Sequence, residues 1–146
     1  MEVHILIRVT SIRHIKDSPA DEVWLIVRSL KKPIAGTKQV KALSPSNELF
    51  RKYLQLKAAG NWSEQTFADV YVPTFLAEMQ NKEARAALNY LYLQDKRGKN
   101  ICLACFCPDE RLCHRSIVAG LLQGCGCDVQ TDSGDSYTKY FALFKS

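Results

Sequence analysis

The 146 residues contain no apolar run approaching the roughly 20 that a membrane-spanning helix needs. The opening "MEVHILIRVT" is broken by Glu2, His4 and Arg8, so it lacks the uninterrupted apolar stretch of a secretory leader. A cytosolic protein with no membrane partner is expected. There is no internal repeat and no low-complexity linker, which argues for one domain spanning residues 1–146, large enough for a core without metal or disulfide support. Charge of one sign is also scarce: 20 Lys and Arg against 15 Asp and Glu leave +5. That excess permits an anionic partner, a nucleotide or a nucleic acid, without requiring one. Nothing in the pattern speaks to oligomeric state, and no cofactor is expected.

Cysteine, by contrast, is well supplied, with six residues. Cytosol is reducing, so a disulfide framework is not the reading. Free thiols, metal ligands and core residues remain.

The hydrophobic pattern is that of an α/β domain. "VHILIRV" (3–9) and "VWLIVRSL" (23–30) read as strands, and their lack of clean alternation implies a mixed sheet covered by helices. Between them, 13–22 is a loop. The basic stretch 31–41, with Pro33 and Gly36, is a second loop. "SPSNELFRKYLQLKAAG" (44–60) has a capping serine and a stop at Gly60, so it is a helix. A second helix opens at Ser63 and Glu64 and should kink or break at Pro73. A third covers 81–94. Then follow a strand at 100–106, a helix at 113–124 ending on Gly124, a short strand at 127–131 and a closing strand at 137–145. The expected order is β-β-α-α-α-β-α-β-β.

One segment carries the chemistry: "ICLACFCPDERLCHRSIVAG" (101–120). Four readings compete for it. Cys105 and Cys107 share a strand face, and Cys113, His114, Cys125 and Cys127 could complete a candidate zinc set with them. Cys105 and Arg111 have the Cys-x5-Arg spacing of a phosphatase loop, but "FCPDE" brings two acids and a proline where glycines should offer amides. In the third reading, the helix start near Cys113 faces the carboxyl end of strand 100–106, where α/β folds bind ligands. Arg115 would grip an anion, and the helix terminus with His114 would lower the Cys113 thiol. In the fourth, Cys102, Cys105, Cys125 and Cys127 are small buried apolar groups.

"LACFCPDERLCHRSIVAGLL" resembles the signature of the bacterial, archaeal and phage family known as domain of unknown function four-eight-eight. There a strand ending in Cys leads through a short loop to Cys-His-Arg at the head of a helix. "ALSPSNELFRKYLQLKAAGNWSEQTFADVYVPTFLAEM" is similar to the family's middle region. "IRVTSIRHIKDSPADEVWLIVRSL" is similar to its opening, with Arg28 at the end of the second strand and Val27 where relatives often have an acid. The resemblance covers about residues 3–124. It implies an α/β fold and a cluster of Cys105, Cys113, His114, Arg115 and Arg28, and it implies no particular reaction.

The resulting expectation is an anion-binding protein, its ligand a nucleotide or nucleic-acid phosphate. Arg115, Arg28 and Arg13 would hold the anion. Cys113 or Cys105 would be the nucleophile and His114 the acid/base. Lys31, Lys32, Lys38 and Lys41 would extend the basic surface. The alternatives are a zinc-binding or purely structural Cys/His module on Cys105, Cys107, Cys113 and His114 that acts through protein contacts, and a thiol redox sensor built on an exposed, low-pKa Cys113.

Overall fold

A computed structural model describes residues 6–146. Five strands form one sheet: β1 (Ile7–Ser11), β2 (Glu22–Leu25), β3 (Lys38–Gln39), β4 (Ile101–Cys105) and β5 (Val129–Thr131). Their spatial order is β3-β2-β4-β1-β5, and every pairing among the described residues is parallel. Branched and apolar side chains dominate β1 and β4, and all five residues of β4 are buried. Such continuous burial requires cover on both faces of the sheet. The α/β class is as the sequence implies. Of the first expected strand, residues 3–5 lie outside the described residues.

Among the described residues, six α-helices surround the sheet: α1 (Asn47–Ala58), α2 (Glu64–Thr66), α3 (Val72–Glu78), α4 (Lys82–Lys96), α5 (His114–Gly124) and α6 (Lys139–Lys145). The first three helical segments each start on a side-chain cap, as expected at Ser63, while the capping serine of α1 is Ser46 rather than the Ser44 that opens the expected segment. Ser46 accepts from the Leu49 amide at 3.1 Å, Ser63 from Thr66 at 3.1 Å, and Asn81 from Ala84 at 2.8 Å. No helix among the described residues is long and apolar enough to cross a membrane.

Pro73 does not break its helix, which runs without interruption from Glu64 to Glu78. A π-helical turn, Phe67–Tyr71, joins α2 to α3 immediately before it. Proline has no N–H to give the carbonyl four residues back, and the wider turn relieves that mismatch.

Two expectations fail. The basic loop 31–41 contains the edge strand β3, too short and too polar to show a period. The closing segment 137–145 is a helix, not a strand. Its aromatic residues Tyr137, Tyr140, Phe141 and Phe144 recur at i, i+3, i+4 and i+7, a helical face. That face docks on α5 where glycines make room. A Cβ on Gly120 would lie 2.0 Å from the Tyr137 carbonyl oxygen, and one on Gly124 would lie 2.1 Å from the Phe141 ring.

Candidate metal centre and its cavity

Strand β4 ends at Cys105, and the chain turns through Phe106, Cys107 and Pro108 before α5 begins. Glu110 anchors this turn. Its buried carboxylate accepts from the Asp132 amide (2.9 Å), the Ser133 hydroxyl (2.5 Å) and the Tyr137 hydroxyl (2.6 Å). Cys113 is then the N-cap residue of α5, in extended conformation, and its thiol makes no capping bond. Ser116 bonds the Cys113 carbonyl through both its amide and its hydroxyl, so the first turn is tied down without the sulfur.

The freed thiol faces Cys105. Their sulfurs are 3.1 Å apart, and Cys113 Sγ is 3.6 Å from His114 Nδ1. One ligating atom from each of Cys105, Cys107, Cys113 and His114 lies within 4.8 Å of all the others. A tetrahedral zinc with three sulfurs and a nitrogen has donor separations of about 3.5–3.8 Å, so four donors at this spacing need little movement to close on an ion.

The His114 ring is held in the orientation a ligand requires. Nε2 lies 2.7 Å from the Ile26 carbonyl at the end of β2, and a carbonyl can only accept. In the neutral ring the proton is therefore on Nε2 and the Nδ1 lone pair faces the sulfurs. Phe75 packs on the ring at 5.6 Å between centroids.

Arg115 completes the cluster from the side. It is 2% exposed, and one terminal nitrogen donates to Cys105 Sγ (3.3 Å) and to the Cys107 carbonyl. Its Nε is buried with no partner among the described residues.

These contacts reassign the activated thiol. Cys113 is 1% exposed, and burial, then its bond to Cys105, pushes its pKa well up. Cys107 is pushed up to about 12, chiefly by its hydrogen bond to Cys105. The lowered thiol is Cys105: hydrogen bonds from Cys107 and then Cys113 hold it down against burial, with smaller electrostatic help from the neighbouring His114 and Arg115. A buried N-cap thiol cannot profit from the helix terminus when a neighbouring sulfur takes the negative charge first. The exposed, low-pKa Cys113 of the redox-sensor reading is not what the fold provides.

The expected cation set divides. Arg28 lines the same cavity as the cluster, but its Nε donates to the Pro45 carbonyl at 3.0 Å and a terminal nitrogen to the Lys41 carbonyl at 3.4 Å. Arg13 is exposed and lines a separate cavity with Ser11, His14, Arg115 and Asp132. Arg111 pairs with Asp135 at 3.4 Å and has no part in the cluster, as the acidic loop implied. Lys31, Lys32, Lys38 and Lys41 are all exposed, Lys38 over the Trp24 ring.

Above the sulfurs opens a largely apolar cavity of ≈ 100 Å³. Its walls include Val27, Phe50, Tyr53, Tyr71, Phe106 and Leu112, with Arg28 and Ser29 also lining it. The π-turn supplies Tyr71. Sequence reasoning missed these aromatic walls, because they come from three separated segments. The only sequence signal is Phe106, an exposed aromatic directly after a buried strand.

Neither a curated protein nor a solved structure matches the chain. A family model does, over residues 7–126: DUF488-N3a, described as the active DUF488-N3 subclade. The match spans the strand β1, the middle helices, the cluster and α5, and the chain belongs to the DUF488 family.

Proposed function

We propose that the protein is a metal-binding member of its family, holding one zinc ion on Cys105, Cys107, Cys113 and His114. The observation that carries this reading is the His114 ring, fixed through Nε2 on Ile26 so that its Nδ1 faces three sulfurs. Thiolate-rich tetrahedral sets select zinc over the oxygen-seeking cations. Four protein ligands make a closed site with no position for a water. The ion clamps the end of β4 and the turn after it to the start of α5, which the His114 hydrogen bond ties in turn to the end of β2, and it fixes the floor of the cavity. Arg115 offsets the charge of the thiolates. The test is elemental analysis of protein purified without chelator. One zinc per chain is expected, and metal-free, fully folded protein overturns the reading.

A second reading, the anionic ligand, is favoured by where the positive charge resides. Residues 23–46 contain Arg28, Lys31, Lys32, Lys38 and Lys41 and no acid, a charge of +5 that equals the whole protein's net charge of +5. Val27, Arg28 and Ser29 of this segment line the cavity. Nucleic-acid phosphate is the partner such a segment suits, with Arg28 and the lysines as its contacts. Arg115 supports it less, because its terminal nitrogen is engaged within the cluster. The description of the matched subclade as active supports chemistry beside this ligand, with Cys105, the lowered thiol, as the nucleophile and His114 and Cys113 beside it. Lys31→Ala with Lys32→Ala should flatten the salt dependence of oligonucleotide binding, and an unchanged slope overturns this reading.

A further inference from the structure

We infer that the cavity over the cysteine cluster receives a single unstacked pyrimidine base of a single-stranded nucleic acid, with Phe106 as its stacking face. The inference rests on the anionic-ligand reading above and names its substrate class.

Three features of the cavity lead to it. First, its walls are aromatic where they meet solvent. Phe106 is 57% exposed and Phe50 39%, and nothing in the fold requires two phenylalanines to be left so open. Exposed rings beside a basic segment are the usual platform for single-stranded nucleic acid, because every base has a face to stack and every phosphate a charge to neutralise. Second, the basic segment forms one wall. Val27, Arg28 and Ser29 line the cavity, and the exposed Lys31 and Lys32 follow directly in sequence. A backbone leaving the cavity on that side meets cations and no acid of the segment. Third, the size is that of one ring. An enclosed cavity of roughly 150 Å³ holds benzene, so an open one of ≈ 100 Å³ takes the edge of one six-membered ring with the rest of the base outside, a closer match to a pyrimidine than to a fused purine. Duplex bases cannot enter, since the cavity demands a base turned out of its stack.

The chemistry of the floor is consistent with a base edge. His114 and the sulfurs of Cys105, Cys107 and Cys113 lie there, with the Ser29 and Arg28 groups at the sides. Aromatic residues make the remaining contacts, so affinity comes from stacking and charge rather than from a full set of hydrogen bonds.

The experiment is fluorescence anisotropy of the full chain with a ten-residue oligothymidylate, repeated across several salt concentrations. The comparison ligands are an abasic oligomer of equal length and oligoadenylate. Oligothymidylate should bind more tightly than both. Phe106→Ala, exposed and harmless to folding, should weaken oligothymidylate by roughly five- to 150-fold, the worth of one base stack, and leave the abasic oligomer and the salt slope unchanged. Equal binding of thymidylate and abasic oligomers, insensitive to Phe106→Ala, overturns the base pocket and leaves the anionic-ligand reading standing. Oligoadenylate binding as well as oligothymidylate overturns the single-ring fit. No binding of any oligomer overturns both the inference and the reading under it.

Discussion

Helix α5 has a Cys-x-Cys pair beyond each end, and the two pairs have different fates. Cys105 and Cys107 precede it and join Cys113 and His114 within 4.8 Å. Cys125 and Cys127 follow it and join no such set among the described residues. Cys127 is buried and pushed up to about 12, by burial first and then by Asp95, while Cys125 is exposed at the surface with its thiol also raised by burial. Spacing is therefore not the signal. At the first end, a histidine is held in ligand orientation, an arginine lies against the sulfur, and the N-cap thiol is left unused by the helix. At the other end, glycines replace chemistry: Gly120 and Gly124 are contact points for Tyr137 and Phe141.

The largest break in this contrast should come from Cys113→Ser. It removes a central sulfur, and zinc content should fall from one per chain to below detection by elemental analysis. Zinc retained at full stoichiometry would mean that the ion sits elsewhere. Next in size is the pH dependence of metal affinity. Cys107 and Cys113 have raised pKa values and hold their protons near neutrality, whereas hydrogen bonds from its two neighbours hold the Cys105 thiol well below its ordinary range. A zinc ion bound there would displace the protons of Cys107 and Cys113, so its affinity should rise with pH, by about 100-fold per unit between pH 6 and 8. Competition against a chelator of known pH profile measures the slope. A flat profile would place the metal on ligands already deprotonated.

The chemistry-bearing end of α5 was legible in the sequence and the packing end was not. Cys-His-Arg at a helix start is local, and Cys105 and Cys107 are within nine residues of it, so parity along the strand could gather them. Burial as a small apolar group is only half of what Cys105 does, since it also carries the lowered thiol. Cys125, expected in a core, is exposed because α5 ends before the chain turns back into β5. The cavity walls were invisible because Phe50, Tyr71 and Phe106 are far apart in sequence. Segment 137–145 was misread because "YTKYFALFK" offers a partial alternation over a helical face, and only the docking partner on α5 decides between them. Arg28 was no clearer, because a guanidinium's use depends on what the fold places beside it, here the Pro45 and Lys41 carbonyls.

Gly120→Ala tests the packing end. The added methyl meets backbone at 2.0 Å, which cannot rotate away. Overpacking of this kind costs about 1–3 kcal/mol, or roughly 3–10 °C in Tm by thermal unfolding. Zinc content should stay at one per chain, since the cluster lies at the other end of the helix. Loss of metal in this variant would show that the two ends are coupled through α5.

The smallest effect is expected from Cys125→Ser, and its value is as the counterpart of Cys113→Ser. Cys125 is solvent-exposed and no ligand atom of the cluster reaches it, so stability should change by no more than about 0.5 kcal/mol and zinc content not at all. Its thiol should nevertheless be the first alkylated in the native, metal-loaded protein, because access outweighs a raised pKa when every competing sulfur is buried or bound to metal. Mass spectrometry after brief iodoacetamide treatment reads this directly: one adduct on Cys125 in the parent and none in Cys125→Ser at the same time point. An early adduct on Cys105 instead would show that the cavity admits reagents to the lowered thiol, and that the ion does not protect it.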